Sequence, residues 1–206
     1  MLSINKLSVE VNDRPLIDNL SIDAHPGQIV CVTGANGTGK TTLLEFICGL
    51  RQRSSSSTGS ITVDGIVADD TDRHFRQLVA FDLGEDATFA ELTVVEHLRL
   101  IARLWSLSDD AAEVALADCG LVDHADRLPH NLSRGQRHRF DLASAFLRPA
   151  AVIVLDEPES ALDIDGRAWL IDSLLTRTRR RTTVVMASHA PDLQAIADIR
   201  IPLGPR

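Results

Sequence analysis

The chain has 206 residues, a net charge of −8 and 44% hydrophobic residues. That length fits a single domain, residues 1–206, with enough chain for a full core. The acidic balance disfavours a nucleic-acid partner, which would call for a basic face. No apolar run approaches the ~18 residues of a bilayer span, and Met1 leads into a strand carrying Lys6 and Glu10 rather than into a signal peptide. Any membrane-spanning part is therefore expected in a different polypeptide. Cys31, Cys48 and Cys119 are odd in number and lack Cys-x-x-Cys spacing, which suits buried thiols in a reducing cytoplasm. The seven histidines form no metal-ligand pattern.

In chain order, a strand pattern over Leu2–Val11 precedes the buried-strand run Ile29–Val32. Directly after that run comes Gly34-Ala35-Asn36-Gly37-Thr38-Gly39-Lys40-Thr41-Thr42, then a helical pattern. This is Gly-x4-Gly-Lys-Thr between a strand and a helix, the pattern of a phosphate-binding loop. Glycines let the backbone curl so that successive N–H groups face phosphate oxygens, and the helix adds the positive end of its dipole. Lys40 would neutralise the β and γ phosphates, and the Thr41 hydroxyl would ligate Mg²⁺. Lysine occurs only at Lys6 and Lys40 among 21 Lys plus Arg, and a compact ammonium suits a tight loop better than a planar guanidinium.

The tract Ser54–Ser57 reads as a flexible surface loop, followed by a hairpin strand near Ser60–Asp64 and a strand at Leu78–Phe81. Helical patterns cover Thr93–Leu107, Asp109–Cys119 and Ser133–Leu147. Strands then follow at Ala151–Leu155, Thr182–Ala187 and Asp198–Leu203. Strand and helix alternate as in a parallel α/β sheet. Asp156 and Glu157 close one buried strand, at the end where ligands bind in open parallel sheets. There Asp156 could hold the Mg²⁺ water shell and Glu157 could orient or deprotonate a water, although an acidic pair after a strand is more often an ordinary loop start. Taken alone, His189 at the end of Thr182–Ala187 reads as a capping or packing residue. The basic run Arg177–Arg181 ends a helical pattern and complements its dipole.

Five motifs follow one another in order along the chain: the phosphate loop, Asn131-Leu132-Ser133-Arg134-Gly135-Gln136, Asp156-Glu157-Pro158, Ser160-Ala161-Leu162-Asp163, and Ser188-His189. Together they resemble the nucleotide-binding subunit of ATP-binding cassette (ABC) transporters. Ala161–Gly166 further looks like compact exporter subunits, the haem exporter type included. The resemblance implies a P-loop NTPase core with a parallel sheet, a small antiparallel β subdomain and an inserted helical, signature-bearing subdomain at about 86–146. It implies ATP and Mg²⁺ as ligands, with Glu157 as catalytic base, His189 at the γ-phosphate and Asp163 in the nucleotide site. Ser133, Gly135 and Gln136 would complete the site of a second subunit in a head-to-tail dimer, and a separate transmembrane permease would hold the protein peripherally at the cytoplasmic membrane face. A regulatory, low-turnover cassette and a soluble non-transport ATPase are the alternatives.

Three departures stand out. The segment Glu10–Pro15 lacks the family's adenine-stacking aromatic, leaving Val11 as an apolar substitute and weak adenine discrimination as the expectation. The column of the Q-loop glutamine falls on Gly84 or Glu85. Glu85 would either serve the Mg²⁺ and water contacts or stand as a solvated loop acid. Arg134 replaces the first signature glycine, facing either solvent or a phosphate or carboxylate across the dimer.

Overall fold

The computed structural model describes residues 1–11, 14–51, 57–84 and 89–204, with the backbone alone at 11, 14 and 109. Glu85, the serines at 54–56 and the Val11 side chain, all singled out above, lie outside the described residues. The chain divides into two compact units: Met1–Leu83 with Ala150–Pro158 and Ser173–Arg206, and Gly84–Pro149 with Glu159–Asp172.

The first unit holds two sheets. An antiparallel one has the order β2-β1-β4-β5, built from β1 (Leu2–Val11), β2 (Arg14–Ala24), β4 (Ser57–Val63) and β5 (Ile66–Val67). Between β1 and β2 the register shifts at three places, and two of them bear on the core and the site. On β1 the buried residues run Leu2, Ile4, Leu7 and Val9, so the period of two slips by one residue between Ile4 and Leu7. A bulge with Lys6 at φ 48° absorbs the slip and keeps all four on the core face. On β2, Glu10 pairs with Pro15 and Val9 with Ile17, which leaves Leu16 as an extra, bulged residue.

The other sheet is parallel, in the order β6-β7-β8-β3-β9. It consists of β3 (Ile29–Thr33), β6 (Val79–Asp82), β7 (Val152–Asp156), β8 (Thr183–Ala187) and β9 (Ile199–Pro202). β3, β7 and β8 are near-continuous apolar runs, as strands buried on both faces require. Helix α1 (Lys40–Ile47) sends Leu43, Leu44 and Ile47 into one core with Val30, Val32, Val154 and Val185. A short α2 (Arg73–Leu78), capped by the Asp72 carboxylate accepting the His74 N–H at 2.7 Å, precedes β6, so that strand begins at Val79 rather than Leu78.

The second unit packs α3 (Val94–Leu104), α4 (Asp109–Asp118) and α5 (Arg134–Leu147) around Val94, Leu98, Ala112, Leu116 and Phe140. It also takes in the start of α6 (Ile164–Arg179), whose Trp169 rests on Phe146 with ring centroids 6.0 Å apart. Among the described residues no helix is long and apolar enough to cross a membrane.

Candidate nucleotide site

In the first unit, β3, β7 and β8 are neighbours in the parallel sheet, so their C-terminal ends deliver three loops to one edge: residues 34–39, Asp156-Glu157 and Ser188-His189. The loop after β3 turns through Gly34, Gly37 and Gly39, all at positive φ. Gly39 caps α1 in the left-handed region, and a Cβ there would fall 2.6 Å from Leu16 Cγ. The bulge in β2 thus aims Leu16 at the loop, a closeness that only a glycine accommodates.

Within the loop, Thr38 closes back on the Ala35 carbonyl through both its N–H (3.3 Å) and its hydroxyl (2.9 Å). The Lys40 side chain is nearly covered, 6% exposed. Its ammonium donates to the carbonyls of Gly34 at 3.1 Å and Ala35 at 3.2 Å, and it reaches His189 Nε2 at 2.9 Å. Two of the ammonium protons are therefore held by loop carbonyls, which keeps the charge inside the loop. His189 Nε2 also faces Asn36 Oδ1 at 3.1 Å and Glu157 Oε1 at 3.7 Å. When Nε2 accepts from Lys40 the ring proton sits on Nδ1, and a protonated Nε2 has Asn36 and Glu157 oxygens as partners.

Thr41 Oγ1 donates to Asp156 Oδ2 at 2.5 Å. Burial above all pushes the Asp156 carboxyl above the usual carboxylate range. The Thr41 hydroxyl pulls it down, and the charge of Glu157 adds to the upward push. Glu157 leaves the strand at φ 47°, a conformation costly for a side-chain-bearing residue, and its N–H is held by the Ala187 carbonyl at 2.9 Å. An open cleft of about 420 Å³ lies here, its walls including Leu16, Lys40, Thr41, Thr42, Arg51 and Glu157. Small-molecule sites occupy ~300–1,000 Å³. Leu16 and Arg51 escaped the sequence reading. So did Asp82, which ends β6 in register with Leu155 and brings a further carboxylate to the same sheet edge.

The second unit carries the remaining motif residues. Ser133 is the N-cap of α5 in a capping box. The Gln136 N–H donates to Ser133 Oγ at 3.3 Å, and the Ser133 N–H to Gln136 Oε1 at 3.0 Å. Arg134 is exposed. Gly135 has no such latitude, since a Cβ there would lie 2.9 Å from the Ala161 carbonyl oxygen. Asp163 accepts the Gly166 N–H at 2.8 Å and a bond from the Arg139 guanidinium, and these two hold its carboxyl below the usual range. Ser133, Gly135, Gln136, Arg139, Ala161 and Asp163 surround a cleft of about 300 Å³. A helix N-terminus beside a cleft favours an anion.

The ABC transporter family profile matches residues 17–160. Among similar proteins is the cytochrome c biogenesis ATP-binding export protein CcmA of Alkalilimnicola ehrlichii, 36% identical over 191 residues, covering 91% of this chain and 80% of that one. The protein of the same name from Vibrio parahaemolyticus is 32% identical, covering 95% of this chain and 94% of that one. Among solved structures, an ATP-binding subunit of an ABC transporter superposes with a TM-score of 0.87 at 24% identity, covering 98% of this chain and 85% of that one. A dimeric ATP-binding cassette bound to ADP and Pi gives 0.84 at 21% identity, with 98% and 94% covered. At such identities these two likenesses bear on the fold alone, whereas the profile match and the sequence relatives bear on descent. This chain belongs to the ABC transporter family.

Proposed function

We propose that the protein, residues 1–206 acting as one nucleotide-binding domain with a helical signature-bearing part, binds and hydrolyses ATP as half of a dimer. In this reading it powers export through a separate membrane-spanning subunit, which holds it peripherally at the cytoplasmic face of the membrane. The observation that carries the reading is the convergence of Lys40, Thr41, Asp156, Glu157 and His189 on one sheet edge. The export direction is supported by the two CcmA relatives, both named ATP-binding export proteins.

The backbone N–H groups of the loop and the Lys40 ammonium bind the β and γ phosphates. Thr41 Oγ1 and Asp156 Oδ2 are hard oxygen donors of the kind Mg²⁺ takes; they are joined here by a hydrogen bond and would hold the ion once that bond opens, which would offset the burial of the Asp156 carboxylate. Held by these two residues, the ion would supply charge neutralisation at the phosphates. Glu157 orients a water and takes its proton as the water oxygen attacks the γ-phosphorus. The bond to the β–γ bridging oxygen then breaks, leaving ADP and phosphate. His189 Nε2 donates to a γ-phosphate oxygen, and Asp163 steadies the segment after Glu157. Ser133 and the Gly135 N–H, on a helix start shaped by Gln136, complete the site of the second subunit.

Exchange of Glu157 for Gln tests the reading. The variant should accumulate as ATP-bound dimers with turnover lost, and normal hydrolysis by Glu157→Gln would remove Glu157 as the base. Copurification from membranes should bring down a polytopic partner.

A further inference from the structure

We infer that His124, outside every motif considered so far, is a positioning residue that holds the signature cap in its working geometry. The inference rests on the reading that Ser133 and Gly135 act on a nucleotide. His124 ends a single 3-10 turn, Val122–His124, twelve residues before Gln136, and its Nε2 lies 2.6 Å from Gln136 Nε2. The capping box settles which group donates. Gln136 Oε1 is already taken by the Ser133 N–H at 3.0 Å, so the other end of the planar carboxamide, its NH₂, faces the imidazole. An NH₂ group can only donate, so His124 Nε2 accepts; the proton then sits on Nδ1, which is buried and has no hydrogen-bond partner among the described residues.

Gln136 is thereby gripped at both ends, by Ser133 through its oxygen and by His124 through its nitrogen. Three freely rotating side-chain torsions are fixed without a charge, and the cap that orients Ser133 is fixed with them. The His124 backbone adds a second tie, because its carbonyl accepts the Arg127 N–H at 3.0 Å while its N–H is held by Leu121 at 2.9 Å. The turn presenting the imidazole is thus rigid, as a positioning residue on a helical subdomain surface requires.

The test uses the full-length protein in steady-state ATPase assays. His124→Leu keeps a comparable volume but cannot accept, and it should lower kcat roughly three- to tenfold, the worth of one neutral hydrogen bond, with KM for ATP within about twofold. His124→Gln places an acceptor near the Nε2 position and should keep more than half of kcat. In a Gln136→Ala background His124→Leu should have no further effect, since its partner is gone. Unchanged kcat in His124→Leu, equal damage in His124→Gln, or additive losses in the double variant would each overturn the inference. Should His124→Leu fail to fold, His124→Gln is compared with the shorter His124→Asn: a difference supports the role and equality contradicts it. Ser133→Ala, run in parallel, separates the two ideas. Full activity in Ser133→Ala removes the underlying reading, whereas an inactive Ser133→Ala beside a fully active His124→Leu removes the positioning role alone.

Discussion

Nζ of Lys40 lies 2.9 Å from Nε2 of His189, across 149 residues of sequence. The contact joins the loop after β3 to the end of β8, and both strands are neighbours in the parallel sheet. In the proposed mechanism Lys40 binds the phosphates of substrate and transition state alike, whereas His189 acts on the γ-phosphate during the reaction. Lys40→Ala should therefore abolish nucleotide binding measured by fluorescent-ATP titration. His189→Ala should leave binding within a few-fold and reduce kcat by ~10²-fold or more. Equal losses of binding in both variants would contradict that division.

The signature residues Arg134 and Gly135 stand side by side with opposite tolerances. Arg134→Gly removes an exposed side chain at the first turn of α5 and should cost under about 1 kcal/mol in thermal unfolding. Gly135→Ala forces a methyl against the Ala161 carbonyl oxygen. It should cost ~1–3 kcal/mol and cut ATPase activity at least tenfold. Comparable behaviour of the two variants would contradict the close approach.

Asp156 titrates in an unusual direction for a candidate metal ligand. Its folded carboxyl is pushed above the ordinary value of 3.8, by burial first. The folded state then binds the proton more tightly than the unfolded chain, so Asp156 costs stability as pH rises from the ordinary value through the raised one. Asp156→Asn, which still accepts from Thr41, should raise the Tm of the metal-free protein above that pH window and remove Mg²⁺-dependent activity. Protons and Mg²⁺ also compete for this oxygen, so half-saturating Mg²⁺ should increase as pH falls toward the window. A Tm difference independent of pH would contradict the assignment.

Base selectivity should be weak. Among the described residues the wall of the cleft contributes Leu16 rather than a ring, and stacking on an aromatic is worth ~1–3 kcal/mol. GTP should compete with ATP at similar concentration. Leu16→Ala should weaken both nucleotides alike, by a few-fold, in the same competition assay. A strong preference for ATP would count against an aliphatic platform.

What the sequence discloses follows from how each feature is encoded. The phosphate loop, Asp156-Glu157 and His189 are legible because their chemistry lies in local spacing at the ends of apolar runs, and the sheet places those ends together. Leu16 is not legible, because a bulge aims it and a bulge leaves no mark on composition. Helix α2 hides because Phe75 is its one buried residue, too few for a period. The helical unit reaches beyond residues 86–146 to take in Glu159–Asp172, since its cohesion includes the packing of Trp169 on Phe146, a contact between distant residues. His124 meets Gln136 for the same kind of reason.

In the proposed dimer the loop of one subunit and the signature helix of the other make one working site. Lys40→Ala and Ser133→Ala each leave a homodimer without an intact site, but a mixed dimer contains one: the normal loop of the Ser133→Ala chain beside the normal signature of the Lys40→Ala chain. ATPase activity of an equimolar mixture measures this directly. The mixture should regain activity, up to about a quarter of the unaltered protein's when subunits exchange freely, while each variant alone stays inactive. A mixture as inactive as its two components would contradict the account.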